Sequence, residues 1–192
     1  MKRDYLPFST VLLVLCGAAC GGKFKDPPPV TLVSETTGKN LFKGVNFFIN
    51  PDYVEQVEST ARKFPDLAAS IRKIEQVPTA VWLDEIARLP SLRHWLDEAK
   101  KQQDASGRPT LAVVVLCNLP NRDCAANASA GELAVEANGE ARYRTEFVDP
   151  IAEQFASHPE QLMVAIIEPD SLANLTTNQL VPKCAARLRW QA

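Results

Sequence analysis

The pattern of the chain predicts an α/β fold with parallel strands, and several observations carry that reading. Short apolar runs alternate with segments whose apolar residues recur at helical spacing. One run, Leu111-Ala112-Val113-Val114-Val115-Leu116, is apolar throughout, as a strand buried on both faces of a parallel sheet should be. Polar and aromatic residues follow three of the runs, at the carboxyl ends where such sheets bind ligands. The 192 residues are 46% hydrophobic and 23% charged, a globular composition that excludes disorder and collagen. With 21 basic against 23 acidic residues, the formal net charge of −2 gives no electrostatic reason to expect nucleic acid or an anionic membrane surface.

The amino terminus comes first. Met1-Lys2-Arg3 is charged, an apolar stretch runs from about Val11 to Leu15, and small residues follow from Gly17 to Gly22, so residues 1–19 read as an export signal. That stretch is too short to span a ~30 Å hydrocarbon core. Two processing routes stay open: a general signal peptidase cutting before Cys20, or a lipoprotein route that lipidates Cys20 and tethers the chain to a membrane. Both lead out of the cytosol, to secretion or the cell envelope, where disulfides among Cys117, Cys124 and Cys184 become available and one thiol is left over. Residues 20–40 are polar and contain three consecutive prolines, which suits a linker to a folded portion at 41–192.

Gly44 to Asn50 reads as the first strand, and Val54, Val57, Ala61 and Phe64 as a helix that Pro65 interrupts. Val77 to Leu83 is the second strand, followed by a helix carrying Leu89, Leu92, Trp95, Leu96 and Ala99. Leu111–Leu116 is the third. Tyr143, Phe147, Ile151 and Phe155 predict a helix kinked or restarted at Pro150, before a fourth strand over Leu162–Ile167. The strand-end residues are then Trp82 and Asp84, Arg122 and Asp123, and Glu168 and Asp170. Any one of them reads most simply as a turn or helix cap. Their coincidence at successive strand ends points to a site.

Common catalytic signatures are absent: no G-x-S-x-G, no H-E-x-x-H, no phosphate-binding loop and no G-x-G-x-x-G after a strand. His94 and His158 stand far apart without partners at zinc-ligand spacing, so both are assigned structural roles and neither a metal nor a cofactor is expected. Chemistry at this site would have to rest on carboxylates.

The strings Leu119-Pro120-Asn121-Arg122-Asp123-Cys124-Ala125-Ala126 and Ile167-Glu168-Pro169-Asp170-Ser171-Leu172-Ala173-Asn174, with Val181-Pro182-Lys183-Cys184, resemble the central motifs of glycoside hydrolase family 6. Val77-Pro78 with Trp82-Leu83-Asp84, and Gly44-Val45 with Asn50-Pro51-Asp52-Tyr53, match its amino-terminal portion in order. The resemblance runs from about Asn40 to Cys184. It implies a distorted (β/α) barrel, and a secreted cellobiohydrolase or endoglucanase that hydrolyses β-1,4-glucan with inversion. It makes Asp170 the proton donor, with Asp123 raising its pKa and favouring charge build-up on the sugar, an arrangement that like-charge electrostatics also supports. Trp82 would lie against a glucose ring, Asp84 would contact the same sugar region, and Ser129 would sit in a loop near the attacking water. Cys124 and Cys184 match a family disulfide. The implied partners are β-1,4-glucan or cello-oligosaccharides, and the implied state is a monomer.

Two departures accompany the resemblance. Cys117 stands where the family usually has a Tyr whose hydroxyl lies by the strained sugar. The chain also stops at Ala192, eight residues after Cys184, before the family's D-A-G-H stretch and its candidate catalytic base. The expectation is therefore a truncated, partial barrel with poor activity. The competing reading is a non-catalytic glucan-binding surface lipoprotein that keeps the sugar platform around Trp82.

Overall fold

The structure, a computed structural model, describes residues 11–12, 40, 42–126, 128–171 and 177–191. Its centre is one sheet in which every pairing is parallel. The strands are β1 (Val11–Leu12), β2 (Asn46–Phe47), β3 (Val81–Leu83), β4 (Thr110–Leu116) and β5 (Leu162–Ile167). β4 is the spine. Along one edge it pairs with β5 from Leu111 opposite Leu162 to Leu116 opposite Ile167. Along the other edge it meets β2 at Thr110 and Leu111, then β3 from Val114 to Leu116. β1, two residues from the stretch read as an export signal, lies on the outer edge of β5.

Helices cover one face. α1 (Pro51–Lys63) opens on Asn50, whose side chain accepts from the Asp52 N–H at 3.0 Å, and has Pro51 where a missing N–H costs nothing. It ends at Phe64, ahead of Pro65. Beyond the short α2 (Ala68–Ile71), α3 (Leu89–Ser106) buries Leu89, Leu92, Trp95, Leu96 and Ala99 on one side and is closed by Gly107 at φ 63°. These side chains pack with Val81, Leu83, Ala112, Val114, Leu116, Met163 and Ala165, alternate residues of three strands that share the helix-covered face.

The helix around Pro150 is built differently from a simple kink. α4 (Gly139–Arg142) passes into a widened π turn over Tyr143–Val148, and α5 (Asp149–Ala156) continues from it, burying Ile151. Pro150 has no N–H to donate, so a regular ladder would lose a bond there, and the backbone widens one turn upstream instead. Phe147, from the π turn, is fully buried in the core. α6 (Pro182–Gln191) is the last helix described.

Two predicted strands are shorter than the sequence suggests. Only Asn46–Phe47 of the run 44–50 and Val81–Leu83 of the run 77–83 join the ladder. In the second case the Val77 N–H donates to the Ile74 carbonyl, closing a turn, and Pro78 has no donor to offer a neighbour. The other face of the sheet carries Trp82, Val115 and Ile166 side by side, with Phe47 further along. Trp82, Ile166 and Phe47 are 46%, 41% and 40% exposed, although Val115 between them is buried.

Among the described residues no helix is long and apolar enough to cross a membrane. Cys20, the linker at 20–40 apart from Asn40, and Leu172-Ala173-Asn174 of the quoted string lie outside the described residues.

Candidate active site

Three strand ends meet at one edge of the sheet. At the first, β3 turns Trp82 outward and delivers Asp84, whose Oδ1 lies 3.6 Å from Arg88 Nε and whose Oδ2 lies 3.9 Å from Arg122 Nη1. Arg122 comes from the segment after β4, so this contact joins two strand ends. A second link runs beside it: the Glu132 Oε1 accepts from the Ile86 N–H at 2.6 Å and from Asn118 Nδ2 at 2.9 Å.

After β4 the chain stays buried through Cys117, Asn118, Leu119 and Pro120, and the Cys117 N–H donates to the Leu83 carbonyl at 2.9 Å. The backbone then turns sharply. Asn121 and Asp123 both adopt left-handed conformations, at φ 56° and 50°. Asn tolerates this region, whereas for Asp123 it is a strained geometry that the surroundings must hold. They do so through Asn121, whose N–H donates to Leu133 O at 2.7 Å, whose Oδ1 accepts from the Val135 N–H and whose Nδ2 donates to Lys183 O. Cys124, directly after Asp123, forms a disulfide with Cys184. A hydrogen bond from the Gly131 N–H to Arg122 O closes the loop, and any Cβ at Gly131 would come within 3.0 Å of Arg122 Cβ. Ser129 lies on this loop, exposed, with its N–H donating to Ala126 O.

The third end is Glu168-Pro169-Asp170. Glu168 is buried and left-handed at φ 47°, and its N–H extends the ladder to Leu116 O at 2.7 Å. Its carboxylate points back beneath the loop after β4. There it accepts from the Asn118 N–H (2.9 Å), the Leu119 N–H (3.3 Å) and the Tyr143 hydroxyl (3.0 Å), which the π turn delivers. The Ser171 N–H bonds Glu168 O at 3.0 Å and closes a turn around Asp170, which is exposed, while Asp123 is half-buried. Of the four non-glycine residues with positive φ among the described residues, three belong to these two adjacent segments. Such strain concentrates at functional sites.

Cys117 is a free, buried thiol. Burial pushes its pKa up, the Glu168 carboxylate adds to the rise, and Arg122 opposes it. His94 Nε2 lies 3.7 Å from Asp52 Oδ1, and His158 sits between Gln154 O, at the end of α5, and Asp97. Among the described residues no three His, Cys, Asp or Glu side chains are grouped to hold a metal. Sequence reasoning placed Glu168 among the strand-end groups without its bracing role, and Tyr143 only on a helix face. A buried carboxylate beneath a neighbouring loop leaves no periodic signal.

The profile of Glycosyl hydrolases family 6 matches residues 42–191. The chain belongs to that family. Among curated relatives, Exoglucanase A of Cellulomonas fimi is 41% identical over 157 residues, covering 76% of this chain and 18% of the relative. The 1,4-beta-D-glucan cellobiohydrolase CEL6B of Podospora anserina is 34% identical over 190 residues, covering 96% of this chain and 44% of the relative. Among solved family 6 structures, the CcCel6A catalytic domain complexed with p-nitrophenyl beta-D-cellotrioside superposes with a TM-score of 0.71 at 39% identity, over 76% of this chain and 42% of that one. The Humicola insolens cellobiohydrolase II, in complex with glucose and cellotetraose, gives 0.72 at 35% identity, over 78% and 43%. The chain spans less than half the length of these family 6 proteins.

Proposed function

We propose that this chain is the strand-end portion of an exported family 6 glucanase, in which Asp170 donates the proton to the leaving glycosidic oxygen of β-1,4-glucan and hydrolysis proceeds with inversion. The observation that carries the reading is the family match over 42–191, which runs through all three strand ends. The chemistry needs two carboxyl groups of unequal proton affinity: one protonated to release the leaving oxygen, and one acting on water from the opposite side of the ring, ~6.5–9.5 Å away. Asp123, at the strand end next to that of Asp170, sets a carboxylate where positive charge develops on the sugar. Trp82 offers a flat apolar surface to a glucose ring, Asp84 accepts from its hydroxyls, and Ser129 works near the water. Supporting this division of labour, the Asp123 and Glu168-Pro169-Asp170 segments are held by buried hydrogen bonds and a disulfide, while Trp82 is open to solvent. Positioned groups of this kind are what transition-state stabilisation requires.

Asp123 and Asp170 both serve the acid side, so the carboxylate that acts on water from the opposite face of the ring is neither of these two. The decisive experiment expresses the whole open reading frame and measures reducing sugar released from amorphous cellulose. Asp170→Asn is expected to abolish release while leaving affinity for cello-oligosaccharides nearly unchanged, because the proton is needed only in the transition state. Equal losses of rate and affinity would remove Asp170 from this role, and an inactive parent would remove the glucanase reading.

A further inference from the structure

A cavity of about 600 Å³ lies toward the amino end of the sheet, between the last turns of α3, β2 and the segment that leads into β3. Thr110, on its wall, opens β4, and the rise of that strand sets it about 20 Å from the strand ends that carry Asp123 and Asp170. The volume falls within the ~300–1,000 Å³ of ligand pockets. No Asp, Glu, Lys or Arg lines it. An ion placed there would give up water and gain no counter-charge, which argues against phosphates, carboxylates and ammonium groups.

What the walls offer is neutral. Asn46 Nδ2 donates to Ser106 Oγ at 3.2 Å, and Asn46 Oδ1 bonds no other described residue. Gln102 is held to the Ile49 backbone at both ends of its amide, Oε1 accepting from the N–H at 3.0 Å and Nε2 donating to the carbonyl at 2.7 Å, with one amide proton left over. The Gln76 side chain bonds no other described residue. Thr110 is the most constrained member. It is 1% exposed, its N–H donates to Gln103 Oε1 and its carbonyl accepts from Gln161 Nε2, yet its hydroxyl has no partner. A buried hydroxyl left unpaired costs free energy that a ligand hydroxyl beside it would recover. Phe47 and Pro78 add apolar surface to the same walls.

Amides and hydroxyls both donate and accept, as sugar hydroxyls do, and apolar surface suits the C–H face of a pyranose. We propose that this cavity is a second carbohydrate site, which holds one uncharged pyranose unit at the end of the sheet opposite the carboxylates, with Thr110, Gln76 and Asn46 bonding its hydroxyls. The proposal rests on the glucan reading above for the identity of the sugar alone.

Heteronuclear NMR of the 192-residue chain titrated with cellobiose separates the two places. The Trp82 indole N–H reports the platform, and the side-chain amides of Asn46 and Gln76 report the cavity. Both sets of signals are expected to shift in the parent. Ala105→Trp, which fills the cavity from an exposed position on α3, is expected to remove the amide shifts and keep that of Trp82, with a dispersed amide spectrum verifying the fold. Thr110→Val is expected to weaken the cavity response about fivefold, as loss of one hydrogen bond would, and to raise the thermal midpoint because a methyl group replaces an unpaired hydroxyl. Amides that stay still while Trp82 shifts would overturn the second site and leave the glucan reading standing. Amides that shift equally in folded Ala105→Trp would overturn it too. Amides that shift while Trp82 stays still would uphold the second site and remove the platform, and if neither set moves both assignments fall.

Discussion

The carboxylate side and the platform side of the site are built by opposite means. On the carboxylate side, the segments after β4 and β5 are braced from within by Glu168, from the flank by Asn121, and covalently by Cys124–Cys184. On the platform side, β3 contributes three residues, and Asp84 is held by ion pairs of 3.6 and 3.9 Å to Arg88 and Arg122 at the surface. Buried charge-assisted hydrogen bonds contribute more than exposed pairs, so the two sides should differ in rigidity as well as chemistry. Proton transfer is sensitive to small displacements, whereas stacking a sugar on an indole tolerates them. On the proposed roles, the firm construction lies where the tolerance is narrow.

Removing the covalent brace breaks the contrast most strongly. The disulfide spans 60 residues, and loop closure of that length corresponds to about 4 kcal/mol in the chain-entropy description. Urea unfolding of Cys124→Ser, Cys184→Ser should show a loss of that order against the oxidised parent. A loss below about 1 kcal/mol would mean the carboxylate side does not depend on its cross-link.

Tyr143→Phe is the next effect in size. It removes one donor from a buried carboxylate and leaves the ring stacked on Phe147, so about 1.5–3 kcal/mol of stability should be lost. Amide hydrogen exchange should then rise at Asn118 and Leu119, whose N–H groups share the Glu168 carboxylate. Unchanged protection at both amides would show that the hydroxyl is not part of the brace.

The smallest stability change is expected on the platform side. Asp84→Asn weakens both surface ion pairs, and such contacts are worth about 0–1 kcal/mol, so the unfolding midpoint should hardly move. Affinity of the 192-residue chain for cellotriose should nevertheless fall, because Asn accepts hydroxyl bonds less strongly than a carboxylate. A large drop in stability with unchanged affinity would reverse the comparison.

How legible each side was follows from what sequence patterns encode. β5 was read to the residue, and β4 to within one, because continuous apolar runs are local signals. The limits of β2 and β3 were not, since whether a residue pairs depends on its partner strand and on a donor that Pro78 lacks. The strand-end carboxylates could be located from the order of motifs, and which residue each should resemble came from the family strings. The brace was hidden because Glu168 meets Asn118 and Leu119 across about fifty positions of sequence. The π turn was half visible: Pro150 marked a disturbance, and only the helix geometry shows it displaced upstream.

The burial of Cys117 bears on how the protein oxidises. Emerging from synthesis, Cys117 precedes Cys124 by only seven positions, and a short loop between them closes far more readily than one reaching Cys184. Once β4 has taken its place, however, the Cys117 thiol is enclosed and its ionisation is suppressed, so it ceases to attack or be attacked in thiol–disulfide exchange. The burial of one thiol at the end of the central strand and the pairing of Cys124 with Cys184 are thus two results of the same sheet.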